Sequence, residues 1–163
     1  MRKIIKYFVL ILLFLFIAIQ FYPRPSKNKG NSTNDISAVH TVPPEVMQIL
    51  KTSCYDCHSN NTYYPWYNHL QPVSSWMGNH INDGKRELNF SEYATYSIRK
   101  KYKKMEEIHE QVKEEQMPLS SYTFIHRDAI LSNTGKKILE NWALRIHDSI
   151  RSAYPADSLV RKK

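Results

Sequence analysis

The residues with the most specific chemistry are Cys54-Tyr55-Asp56-Cys57-His58. The chain's only two cysteines stand three apart, and a histidine follows at once. On a helical turn, residues three apart share a face. Two thiols so placed can meet two vinyl groups on one edge of a porphyrin. His58, next in line, can then reach the iron from one side of the plane. This is the spacing of c-type haem attachment. Three other chemistries use such a pair. A thioredoxin-like redox couple needs a βαβ setting, and no βαβ pattern is present. A zinc site needs further ligands; scattered histidines are available, but no second cluster of Cys or His accompanies the first. A disulfide across two intervening residues closes too short a loop to staple much.

A haem iron takes a second axial ligand opposite His58. Met117 is the leading choice, 59 residues further on and followed by Pro118. Proline pushes the residue before it into an extended conformation, which presents the thioether on a stiff loop. His80 is the rival, on the apolar side of a helix beside Trp76 and Met77. An open or water-ligated iron is the third option. The other methionines, Met47, Met77 and Met105, fall on helix stripes and read as packing. The aromatic run Tyr63, Tyr64, Trp66 and Tyr67 reads as porphyrin wrapping or core filling.

These groups must be held by helices, since no stretch alternates with period two. Pro43-Pro44-Glu45 opens a helix with Met47, Leu50 and Cys54 on one side. Pro72 opens a second, closed by Gly84, whose apolar face is Val73, Trp76, Met77, His80 and Ile81. Ser91 caps a third, striped by Ile98, Tyr102, Met105, His109 and Val112 and stopped by Pro118. Ser132 caps the last, with Ile138, Trp142, Ile146 and Ile150. The lysine pairs Lys100-Lys101 and Lys103-Lys104 read as solvated faces.

The ends read differently. Residues 1–22 are a signal anchor: Arg2, Lys3 and Lys6 precede an apolar run from Ile4 to Tyr22 of about 28 Å as a helix, and no small-residue cleavage site follows. The positive-inside rule keeps that end cytoplasmic and sends the rest across. Residues 23–42 have the composition of a flexible tether. The haem domain is 43–150, and 151–163 is a frayed basic tail. The 163 residues carry 23 Lys+Arg against 15 Asp+Glu, a net charge of +8. That excess has no dense stripe or motif, so nucleic acid is excluded as a partner. Mean hydropathy is −0.54 although one end is apolar. The remainder is therefore very polar, and a bound haem would supply part of its core.

Residues 54–93, CYDCHSNNTYYPWYNHLQPVSSWMGNHINDGKRELNFSEY, resemble a family of small bacterial haem-binding domains with one c-type attachment site. The likeness continues in QMPLSSYTFIHRDAILSNTGKKILENW, residues 116–142. Its diagnostic pieces are CxxCHSN, YPWY, PVSSW, GKRELNFS and MPLSSY. One departure is Lys85-Arg86 after Gly84, where Arg first is the pattern. The resemblance implies a single-haem cytochrome of the bacterial envelope.

The expectation is therefore an all-α, small c-type cytochrome-like domain around one covalent haem c per chain, after an N-terminal transmembrane helix. Cys54, Cys57, His58 and Met117 bind the cofactor, and His58 and Met117 bind its iron. The chain sits as a single-pass protein in the bacterial inner membrane with its haem domain on the periplasmic side. It passes single electrons to and from redox partner proteins, a carrier more than an enzyme. The alternative is an open-site haem protein with a peroxidase-like, ligand-binding or sensing role.

Overall fold

The computed structural model describes residues 1–27, 30 and 33–160. Among them every regular element is helical. The α-helices are α1 Arg2–Ile19, α2 Pro44–Ser53, α3 Tyr55–His58, α4 Val73–Glu87, α5 Ile98–Lys113, α6 Ser120–Thr123, α7 Asn133–Ala153 and α8 Ala156–Leu159. The antiparallel helices α5 and α7 make the most extensive contact; α2 packs against α7, and α3 lies against α4.

The starts of α2 and α7 follow the local rules. Pro44 fills a first-turn position whose N–H has no helical partner, with Glu45 beside it. The Ser132 Oγ accepts from the Gly135 N–H at 3.0 Å, an N-cap. The core stripe of α7 is Leu139, Trp142, Ala143, Ile146 and Ile150, packed on Met105, Ile108 and Val112 of α5.

Three boundaries differ from expectation. Ser91 does not cap α5; Ser97 does, accepting from the Lys100 N–H at 3.3 Å. Residues Phe90–Thr95 form a 3-10 segment instead. Ser91 is fully buried there, and its Oγ accepts from the Asn60 N–H at 3.1 Å. The end of α5 comes before Pro118, at Lys113. Glu115 takes a left-handed φ of 58°, and the Gln116 N–H reaches back to the Gln111 carbonyl at 2.9 Å. That is a Schellman-type stop with Glu where Gly is usual. Finally, α4 runs through Gly84 to Glu87. Its buried side is Ser74, Gly78 and Ile81; of the expected stripe only Ile81 is buried.

The N-terminal end also departs from the sequence reading. Among the described residues no helix is long and apolar enough to cross a membrane. Arg2, Lys3 and Lys6 occupy the start of α1, so its uncharged part, Tyr7–Ile19, reaches only about 20 Å against a hydrocarbon core of about 30 Å. None of α1 is buried. The stretch expected as tether makes contacts on both sides of residues 28, 29, 31 and 32, which lie outside the described residues. Pro25 packs over Gly78, Ile36 is fully buried in the core, and the Thr41 carbonyl accepts from Trp142 Nε1 at 3.3 Å. Toward the C-terminus, Leu159 is buried in the same core.

Candidate haem site

The site is built on the junction of α2 and α3. Cys54 ends one helix and starts the next, with φ −127° and ψ −42°. The N–H groups of Cys57 and His58 both bond to the Cys54 carbonyl, at 3.2 and 2.9 Å. This single turn gathers the two sulfurs and the imidazole. Both cysteines are free thiols. Burial pushes Cys54 up to about 12 and Cys57 up to about 11. A redox-active C-x-x-C pair needs the opposite shift, toward thiolate.

His58 is held from the end of α4. Its Nδ1 donates to the Leu88 carbonyl at 3.0 Å. Nε2 is then the nitrogen left with a lone pair for a metal. Burial lowers the imidazole below the ordinary histidine value, which keeps it neutral. The Leu88 carbonyl is fixed by a polar net. Asn89 Nδ2 donates to Asn60 Oδ1 at 2.9 Å, Asn60 Nδ2 to Glu92 Oε1 at 2.9 Å, and the Asn89 N–H to the Tyr96 hydroxyl at 2.8 Å. Ser59 Oγ donates to the Tyr55 carbonyl at 2.8 Å, tying off the end of α3. The segments His58-Ser59-Asn60 and Leu88-Asn89-Phe90-Ser91-Glu92 thus form one unit.

Gly84 lets α4 come close enough. A Cβ built there would lie 2.7 Å from the Cys57 carbonyl oxygen, and backbone cannot swing away. Sequence reasoning treated this glycine as a helix stop; its role is the approach of α4 to the motif.

Two cavities are lined by both Cys54 and His58. One, of about 380 Å³, has Leu50, Phe90, Ile108, Val112 and Leu139 in its walls, with Cys54, His58 and Met117 on its lining. The other, of about 200 Å³, is lined by Cys57, His80, Leu119 and Tyr122 and again by Cys54, His58 and Met117. The larger falls within the size range of cofactor sites. Met117 is therefore brought to both spaces that His58 lines, presented by the Schellman turn after α5. His80 reaches only the second. It is partly exposed, and its Nδ1 faces the Trp76 carbonyl at 3.0 Å, which also leaves Nε2 over.

Several functional residues carried no spacing signal. Asp56, between the cysteines, accepts from the Tyr63 N–H at 2.9 Å and from the Tyr122 hydroxyl at 2.7 Å. This ties the Met117-Pro118-Leu119-Ser120-Ser121-Tyr122 stretch to the thiol turn. Burial, with the Asp56 carboxylate beside it, raises the Tyr122 hydroxyl, so it stays a donor. Lys104, expected on a solvated face, is 11 % exposed and lines the larger cavity. Its ammonium pairs with Glu107 and, at 3.6 Å, with Glu87. Burial alone would raise Glu107, but hydrogen bonds from Lys104 and Lys103 outweigh it and hold the carboxyl below its usual value. The aromatic run departs the other way. Tyr63 and Trp66 are 69 % and 75 % exposed; Tyr63 and Tyr67 line a smaller slot with Cys57 and His80, whereas Trp66 lines none of the three.

Among the described residues no group of three or more His, Cys, Asp and Glu could hold a metal ion, so the zinc reading has no ligand set. The family model described as a haem-binding domain matches residues 14–145. No curated protein and no solved structure matches the chain. The donor set agrees with that family description: apolar cavity walls, a neutral imidazole oriented through Nδ1, two half-buried thiols and a thioether on one opening.

Proposed function

The chain belongs to the haem-binding domain family, and on that premise we propose that it is a c-type cytochrome passing single electrons at the outer face of a bacterial inner membrane. Cys54 and Cys57 would hold the haem through their sulfurs, and His58 and Met117 would hold its iron. When bound, the haem supplies a one-electron Fe(III)/Fe(II) couple. The observation that carries the reading is the shared lining. His58, oriented by the Leu88 carbonyl, opens with Cys54 and Met117 on the same apolar cavity.

Each residue has a defined task. The α2–α3 turn holds the two sulfurs. Leu88 orients the imidazole and strengthens it as a ligand. Met117 would be the second residue to hold the iron, and thioether ligation would favour the reduced state. Leu50, Phe90, Ile108, Val112 and Leu139 keep water from the group. A second reading has His80 in place of Met117, and its support is that His80 lines the smaller cavity with an uncommitted Nε2. Attachment to lipid is supported by α1, an apolar helix exposed along its whole length. Lys6 and its neighbours can extend to the headgroups while their stems stay in the apolar layer.

The test is the absorption spectrum of the purified full-length protein in both redox states, with and without carbon monoxide. His/Met ligation gives a low-spin ferric iron with the weak long-wavelength sulfur-to-iron band and no carbon monoxide complex. A high-spin protein that binds carbon monoxide at once overturns the electron-carrier reading in favour of an open site.

A further inference from the structure

Several of the haem domain's large exposed apolar side chains are gathered at one place. Trp66, Phe124 and Ile125 are 75 %, 72 % and 57 % exposed, and Tyr63, Leu70 and Trp76 are exposed as well. Tyr63, Trp76 and Ile125 ring a slot of about 80 Å³. Trp66 stands edge-on to Tyr67, another wall of that slot, with centroids 5.8 Å apart. Cations stand over two rings at this surface: Lys27 Nζ lies 5.4 Å from the Tyr64 ring and the Arg127 guanidinium 5.4 Å from the Phe124 ring.

This surface is bolted to the end of α1. Gln20 Nε2 donates to the Gln71 carbonyl, and the Gln71 N–H donates to Gln20 Oε1, each at 3.0 Å. Gln71 is 1 % exposed, and its own amide nitrogen reaches the Tyr22 and Pro23 carbonyls at 3.4 Å. Pro25 then lies on Gly78, so tightly that a Cβ there would fall 2.3 Å from Pro25 Cγ. The chain from Gln20 to Pro25 is therefore seated against Gln71 and the first turns of α4.

We propose that this aromatic face rests on the lipid surface that receives α1, so that the domain is held on the bilayer in one orientation. The proposal rests on the reading of α1 as a lipid-embedded helix. Continuity names the occupant. A helix in lipid whose last turn is hydrogen-bonded to residue 71 brings Leu70 and Trp66 to the same boundary. Exposed tryptophan and tyrosine with interleaved Lys and Arg are the composition of a membrane interface, rings at headgroup level and cations on phosphate. The seating of Gln20 to Pro25 removes the swing that a free tether would permit.

The test uses the full-length, haem-loaded protein in vesicles of mixed zwitterionic and anionic phospholipid. Hydroxyl-radical oxidation of Trp66 and Phe124 is compared with that of Tyr154, which is 46 % exposed at the end of α7. Lipid contact makes Trp66 and Phe124 react at least fivefold more slowly than Tyr154, despite their greater exposure. In oriented bilayers the haem band is linearly dichroic, and Trp66→Ser/Phe124→Ser loses the dichroism while staying with the lipid. Vesicle-bound protein whose Trp66 and Phe124 oxidise as fast as Tyr154 overturns the proposal, leaves the α1 reading intact and gives the face to a water-soluble partner. Dichroism unchanged in the double variant also overturns it, since the glutamine lock alone then holds the domain. Protein that fails to sediment with vesicles overturns the α1 reading and the proposal with it.

Discussion

At the scale of single residues, the account turns on what faces His58. Met117→Ala is expected to convert the iron to high-spin, admit carbon monoxide and lower the reduction potential, because methionine ligation raises it. Redox titration and carbon monoxide difference spectra read these effects. His80→Ala should leave the spectrum nearly unchanged. If the two results are exchanged, the iron is bis-histidine, and electron transfer proceeds at a lower potential. Cys54, Cys57, His58 and Met117, which line one cavity, stood out because a C-x-x-C-H motif and an X-Pro step leave marks in the sequence. Asp56, Lys104 and the Leu88 carbonyl were not. Asp56 acts by accepting from Tyr122, 66 residues away, and a carbonyl has no side-chain signature. Lys104 resembled its neighbours until α5 was placed against the cavity.

At the scale of elements, two glycines give opposite expectations. Gly84→Ala places a methyl group against the Cys57 backbone, where neither side can yield. A loss of about 1–3 kcal/mol is expected from such overpacking, read as a lower urea midpoint. Gly135→Ala meets only the Ser132 Oγ at 3.3 Å and Ile49 Cδ1 at 3.8 Å. It should be neutral or stabilising by up to about 1 kcal/mol, since alanine is the better helix former. Asn89→Ala removes both the Asn60 tie and the N-cap of the 3-10 segment. A cost of about 1–2 kcal/mol is expected, with a broadened haem spectrum as the imidazole loses its fixed partner. Pro44 and Ser132 revealed their helices because capping is local. Ser91 misled for the same reason: its hydroxyl has a cap's chemistry, but Asn60 claims it. Gly84 sits where a helix stop would also sit, and only the α3–α4 contact distinguishes the two roles.

At the scale of the whole molecule, the all-helical class followed from periodicity, whereas the reach of the core did not. Ile36 and Leu159 lie in segments whose composition reads as tether and tail, yet both complete the core around Tyr93 and α5. Polar flanks conceal a single buried anchor residue. His40, in the same segment, packs edge-on to Tyr93, and burial, with Lys101 nearby, lowers it below the ordinary histidine value. The unfolded chain, with a histidine value near about 6.5, then binds the extra proton first as the pH falls. Its contribution to stability is present above about pH 6.5 and is lost below it as the pH drops through the folded value. Urea midpoints should therefore fall between pH 7.5 and 5.5, and His40→Phe should flatten that fall. The most direct test of the account is the intact mass of the protein after denaturation and acid–organic extraction. Matured in a host that exports it and attaches c-type haem, the chain is expected to carry the added mass of one haem, lost when Cys54 and Cys57 are both replaced by Ala. A polypeptide of bare mass, with its haem recovered in the organic phase, would contradict the covalent site.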